Sequence, residues 1–243
     1  MDQEAGMKND SPPRKSLALL IPGLDGTGRL FSRQTAALGA RYRIRAWEFR
    51  RRSRFTLDDL VEELGGETGA EDPASILVVG ESFGGTVAIS YVLAYPERVR
   101  SLCLINAFPV YRHRLRIRLA CRLVPLLRLP GIRHLKDLIA EEILAGEGIT
   151  KDARKMYHEV IRDVDMESYR QRLEIVRSVN LVSRLPEIEV PTVLLASGRD
   201  KLVPSTVEAR FMAERIPNSR LHEFPRAGHA LVLTPGFQLA DYI

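Results

Sequence analysis

Gly80-Glu81-Ser82-Phe83-Gly84 sets a serine between two glycines, at the end of the apolar run Ile76-Leu77-Val78-Val79 and just before the helical pattern Thr86-Val87-Ala88-Ile89-Ser90-Tyr91-Val92-Leu93. The order is strand, sharp turn, helix. At such a turn the serine backbone is strained and the hydroxyl is held out, and the positions two before and two after it have no room for a Cβ because strand and helix crowd together. The five-residue pattern is common by chance, so its position between strand and helix makes Ser82 a candidate nucleophile.

A serine hydroxyl attacks poorly at neutral pH unless a histidine takes its proton and a carboxylate orients that histidine. Thr192-Val193-Leu194-Leu195-Ala196 reads as a buried strand that opens into Ser197-Gly198-Arg199-Asp200, which sets Asp200 just past its carboxyl end. Leu221-His222-Glu223-Phe224 reads as a last strand, and Pro225-Arg226-Ala227-Gly228-His229 sets His229 in the loop behind it. The order Ser82, Asp200, His229 is the one that arises when three loops leave the same edge of a parallel sheet. His222 is the rival base, but it lies within the strand, where a structural role is expected.

An acyl-transfer site also needs backbone donors for the developing oxyanion, each worth roughly 3–4 kcal/mol. The Phe83 amide, next to the nucleophile, is one candidate. Leu17-Ala18-Leu19-Leu20-Ile21 reads as the first strand and Pro22-Gly23-Leu24-Asp25-Gly26-Thr27-Gly28 as the loop after it, which offers the Leu24 amide, with Asp25 as the alternative. Asp25 and Gly26 are also candidate substrate contacts. The loop has neither the Gly-Lys-Ser/Thr ending of a phosphate cradle nor the dinucleotide spacing.

These segments together resemble the α/β-hydrolases, and the likeness runs from Leu17 to about Ala240. Pro22 stands where many such proteins have the histidine of a His-Gly pair. The wording Pro22-Gly23-Leu24-Asp25-Gly26-Thr27-Gly28 is similar to the hydrolase-like part of plastid phytyl ester synthases and their bacterial esterase-like relatives. The plastid members carry an extra acyltransferase domain that 243 residues cannot contain.

The fold expected from the residues themselves is α/β: a doubly wound, mostly parallel sheet with strands at 17–21, 43–49, 76–79, 102–106, 192–196 and 220–224, alternating with helical stretches. Between 111 and 186 helical patterns replace strands, which predicts a helical cap inserted over the carboxyl edge. The core is then 17–110 with 187–243, and 1–16, polar and without a secretory apolar segment, is expected to be a disordered lead-in. At 243 residues and 45% hydrophobic, the chain can bury about 70–75% of its extended surface in one core. No apolar stretch approaches a membrane span of about 20 residues, so a cytoplasmic protein is expected.

Cys103 and Cys121 cannot make a disulfide framework, and Cys103 within Leu102-Cys103-Leu104-Ile105 reads as a core thiol. His113, His134, His158, His222 and His229 have no metal-ligand spacing, so neither metal nor cofactor is expected. Between Glu97 and Asp137 no acidic residue occurs, while nine arginines and Lys136 are interleaved with leucines, isoleucine and valine. Two readings stay open: a cap helix with solvated arginines, or a basic amphipathic stretch for an anionic lipid surface. With the run Arg50-Arg51-Arg52-Ser53-Arg54, nucleic acid would suit the charge, yet no binding motif accompanies it and none is expected as a partner.

The function expected is a serine-dependent hydrolase of small hydrophobic carboxylic esters, through an acyl-enzyme. Acyltransferase and thioesterase activities would use the same residues. A carbon–carbon hydrolase would need further polar groups, and a catalytically silent binding protein would not need the triad.

Overall fold

The computed structural model describes residues 15–52, 54–124, 126 and 148–243. Nearly all of the expected lead-in, residues 1–14, and part of the expected cap, 125 and 127–147, lie outside the described residues.

Six parallel strands form one sheet in the order β2-β1-β3-β4-β5-β6. They are β1 (Leu17–Ile21), β2 (Arg43–Ala46), β3 (Ile76–Glu81), β4 (Val99–Ile105), β5 (Thr192–Ser197) and β6 (Ser219–Phe224). β1 and β3 are buried throughout, as their unbroken apolar runs require of a sheet covered on both faces. Alternate side chains serve two cores. Leu17, Leu19, Ile21, Ile76 and Val78 pack with Phe83, Val87 and Tyr91, while Ala18, Leu20, Leu77 and Val79 pack with Leu30, Phe31 and Leu231.

The second strand is shorter than the sequence predicts. Its pairing with β1 ends at Ala46, and Phe49 then donates its N–H to the Gly26 carbonyl at 2.8 Å. Trp47 and Phe49, whose aromatic character suggested more strand, are buried against each other at 4.8 Å and brace the loop after β1.

Three helices occupy the flanks between strands: α1 (Thr35–Gly39), α2 (Leu57–Thr68) and α3 (Phe83–Ala94). α2 starts at a reciprocal cap in which Asp59 N–H donates to Thr56 Oγ1 at 3.1 Å and Thr56 N–H to Asp59 Oδ2 at 2.6 Å. α3 is apolar almost all round and buried, which fits a helix packed against both the sheet and α2. Among the described residues, α4 (Arg114–Leu123), α5 (Lys151–Asp163) and α6 (Met166–Ser178) lie between β4 and β5, and α7 (Ser205–Ala213) follows β5. α6 reaches the loops of the other half of the sheet. Ser168 exchanges two 3.0 Å hydrogen bonds with the Arg52 backbone, and Gln171 Nε2 donates to the Phe55 carbonyl at 2.8 Å.

Strand order reverses between β1 and β3: the chain steps from β1 to β2 on one side, then returns to β3 on the other. Such a switch point opens a crevice beyond the carboxyl ends of the strands. The 22–28 loop and Ser82 both enter it.

Candidate active site

Ser82 joins β3 to α3 at φ 54°, ψ −119°, a region that a residue with a side chain enters only under strain. Its N–H is anchored to the Ile105 carbonyl at 2.8 Å. The flanking glycines answer to the expected crowding. A Cβ on Gly84 would meet the carbonyl oxygens of Ile21 and Pro22, and one on Gly80 would sit 2.7 Å from the Gly85 Cα and the Ala88 Cβ.

The three side chains separated by up to 147 positions meet here. His229 Nε2 lies 3.0 Å from Ser82 Oγ, and Nδ1 lies 2.6 Å from Asp200 Oδ2. Asp200 is fully enclosed; Oδ1 accepts from the N–H groups of Leu202 and Val203 at 2.9 and 3.0 Å, and Oδ2 also accepts from Ser205 Oγ. An ionised carboxylate only accepts, so the imidazole proton sits on Nδ1 and leaves Nε2 free to take the serine proton. Burial pushes the Asp200 pKa up, but the neighbouring imidazole and these donors outweigh it and hold the group below its ordinary value. Burial presses the His229 pKa down, and the Asp200 charge and hydrogen bond reverse that to a net rise above 6.5. His222, by contrast, is exposed on β6 with its ring 5.1 Å from Tyr242.

The loop after β1 stands beside Ser82: a Cβ on Gly23 would be 3.5 Å from the Ser82 Cβ. Two carbonyls in it are pinned. Gly23 O accepts from Gly26 N–H at 3.1 Å, and Leu24 O accepts from Arg172 Nε at 3.0 Å. In a trans peptide the N–H points opposite to the C=O, so these bonds fix the directions of the Leu24 and Asp25 N–H groups. Among the described residues nothing accepts from Leu24 N–H. Phe83 N–H, in the first turn of α3, has no intrahelical acceptor to use. Asp25 turns Oδ2 to Thr27, taking its N–H at 2.9 Å and Oγ1 at 2.8 Å, and so closes the loop. Gly26, at φ 75°, lies under the Arg172 guanidinium.

Four site residues escaped the sequence reading. Asn106, at φ 48° past β4, donates from Nδ2 to the His229 carbonyl at 2.7 Å and to Ser197 Oγ at 3.0 Å, and accepts Ser197 N–H at 2.8 Å. It fastens the histidine loop to the strand that carries Asp200. Ser205 holds Asp200, and Arg172 reaches the β1 loop from α6. Glu81, buried beside Ser82, has its pKa pushed up to about 8, by burial first, so it carries a proton at neutral pH. A polar residue closing an apolar strand was the only local signal for Asn106.

Among the described residues no group of histidine, cysteine and acidic side chains could hold a metal, and no helix is long and apolar enough to cross a membrane. Cys103 and Cys121 are buried free thiols, and burial drives the Cys121 pKa to about 11.

An open parallel sheet with a serine elbow, an acid and a histidine at its carboxyl edge defines a hydrolase architecture. The chain belongs to the alpha/beta hydrolase family, whose model matches residues 18–242. It is 25% identical over 237 residues to a Yersinia enterocolitica protein named "Putative carbamate hydrolase RutD", covering 93% of this chain and 84% of that one. A pimeloyl-[acyl-carrier protein] methyl ester esterase from Neisseria meningitidis is 27% identical over 172 residues, covering 67% of this chain and 64% of that protein. In fold it is similar to a thermophilic esterase from Thermogutta terrifontis, with a TM-score of 0.81 at 18% identity, over 94% of this chain and 88% of that one. The activity class is hydrolase.

Proposed function

We propose that the chain hydrolyses carboxylic esters with a hydrophobic acyl or alcohol part, through an acyl-enzyme. The observation that carries this reading is one imidazole bridging Ser82 Oγ at 3.0 Å and Asp200 Oδ2 at 2.6 Å. Ser82 Oγ attacks the ester carbonyl carbon as His229 Nε2 takes its proton, and Asp200 stabilises the imidazolium. The carbonyl oxygen, now negative, accepts from Phe83 and Leu24 N–H. As the tetrahedral adduct collapses, the C–O bond to the alcohol breaks and His229 protonates the leaving oxygen. Water, deprotonated by the same imidazole, then releases the acid. Leu24, Tyr111, Tyr169 and Leu202, partly buried apolar groups near these loops, favour a hydrophobic substrate body, with the inserted helices acting as a cap.

The decisive test is a panel of nitrophenyl esters of increasing chain length, run on wild type and Ser82→Ala alongside fluorophosphonate labelling. Turnover falls by at least roughly a thousandfold in the variant and label is lost. Near-normal turnover without Ser82 refutes the assignment. Faster cleavage of acyl-CoA, or ester synthesis from a supplied alcohol, would instead select the thioesterase or acyltransferase form of the same site. The likeness to the Yersinia protein favours a second reading in which the attacked carbonyl belongs to a carbamate; amine or ammonia release outpacing ester cleavage selects it.

The proposal includes a surface for anionic lipid. α4 buries Ile117 and Cys121 and leaves Leu115, Leu119 and Leu123 exposed, one turn apart, among Arg114, Arg116, Arg118 and Arg122. Exposed leucines in a cationic frame suit the boundary between headgroups and acyl chains.

A further inference from the structure

Arg172 projects from the middle of α6 onto the loop after β1 and is only 2% exposed. A guanidinium has five N–H donors, and burying one without partners for them is costly. Here Nε alone is used, on the Leu24 carbonyl at 3.0 Å, while the group stacks over the Phe49 ring at 5.3 Å. Among the described residues, the two terminal nitrogens have neither a hydrogen bond nor a carboxylate within ion-pair distance, and they are not fully sealed from solvent. Asp25 is near enough to act through its charge but makes no ion pair with Arg172; its Oδ2 accepts from Thr27 instead.

Tyr169 stands one turn earlier on the same helix, and its hydroxyl has no hydrogen-bond partner among the described residues. It lies within electrostatic range of Arg172, Asp25 and Tyr111. Tyr111 in turn donates to the Leu202 carbonyl at 3.0 Å, two residues from Asp200. Arg172 thus touches the oxyanion-side loop directly, and Tyr169 lies within electrostatic range both of Asp25 in that loop and of Tyr111, which bonds the acid loop. Nη1 lies over Gly26, one residue beyond the Leu24–Asp25 peptide that Nε holds.

We infer that the terminal nitrogens of Arg172, with the Tyr169 hydroxyl, form a subsite for a carboxylate carried by the ester substrate. The planar fork of two N–H groups matches a carboxylate in a paired geometry. Burial lowers the Arg172 pKa to about 10, so the group remains a cation at neutral pH. Glu81, protonated there, adds no competing negative charge. The substrate is then hydrophobic along its body and anionic at one point. This inference rests on the proposed ester reading and specifies its substrate class.

The test compares matched pairs: a nitrophenyl half-ester of glutaric acid against nitrophenyl pentanoate for an anion on the acyl side, and the butyrate ester of glycolic acid against ethyl butyrate for one on the alcohol side. In wild type at least one anionic member exceeds its neutral partner by about tenfold or more in kcat/KM, the scale of a charge-assisted hydrogen bond. In Arg172→Gln that preference falls by about tenfold, whatever happens to the two absolute rates, and Arg172→Lys retains part of it. A readout that needs no variant is protection of Ser82 from fluorophosphonate: glutarate protects and glutaramide does not. Neutral substrates preferred in both pairs, equal protection by the two additives, or a preference that survives Arg172→Gln in a protein that still labels, each overturns the subsite while leaving the ester reading intact. Failure of wild type both to label and to turn over any ester overturns the reading beneath it instead.

Discussion

The imidazole of His229 is held between opposing influences, and the balance decides at what pH it can act as a base. Burial disfavours its cation; the Asp200 carboxylate, 2.6 Å from Nδ1, favours it more strongly. Because only the neutral imidazole can accept the Ser82 proton, the acid limb of kcat/KM should have its midpoint above the ordinary 6.5 and activity should rise with pH through it. Asp200→Asn removes the favourable charge and leaves the burial. The limb should move below 6.5, and kcat should drop by roughly 10⁴-fold because the amide no longer enforces the Nδ1–H tautomer. A pH–rate profile of the variant that superimposes on wild type would deny Asp200 this role.

At the scale of elements, the loops after β3, β5 and β6 bring Ser82, Asp200 and His229 together, while α4, α5 and α6 are inserted between β4 and β5. α4 is the element whose composition is hardest to explain by packing alone, since half of its apolar side chains face outward. Vesicles containing phosphatidylglycerol should co-sediment the protein, salt should release it, and Leu115→Ser with Leu119→Ser should weaken binding; each basic residue near such a surface contributes about 1 kcal/mol. Binding to phosphatidylcholine vesicles alone, or unchanged binding after both substitutions, would reject an anionic-lipid surface. The elements also mark what a sequence can reveal. Ser82 and Asp200 each follow a short apolar run within a few residues, and His229 follows a glycine in the loop behind the last strand, so a local pattern announces each of them. β2 ends sooner than its residues suggest because Phe49, though suited to a strand, turns its N–H to the Gly26 carbonyl of the first loop, whereas Trp47 N–H still donates to the Leu20 carbonyl at 2.8 Å. Asn106 and Arg172 gain their roles from partners 123 and 148 positions away, and nothing local distinguishes them from other polar residues.

For the whole molecule, the charged state of a few buried groups sets how folding depends on pH. Glu81 has its pKa raised from 4.5 to about 8, so between those values the folded chain holds a proton that the unfolded chain has released. Stability from this group is full below about 4.5 and is lost as pH rises toward 8. His229, also raised, acts in the same direction: its contribution is present below 6.5 and is lost as pH climbs through the folded value. Asp200, lowered, contributes above 3.8 and loses that contribution as pH falls through its folded pKa. The contributions of these three groups together are greatest on the acidic side of neutrality. Glu81→Gln keeps the shape of the side chain and removes the alkaline loss that this group causes. Thermal unfolding followed by calorimetry from about pH 5 to pH 8 should therefore give a Tm that declines markedly in wild type and much less in the variant. Parallel curves would mean that Glu81 is ionised in the folded protein, and that an anion rather than a neutral acid stands next to Ser82.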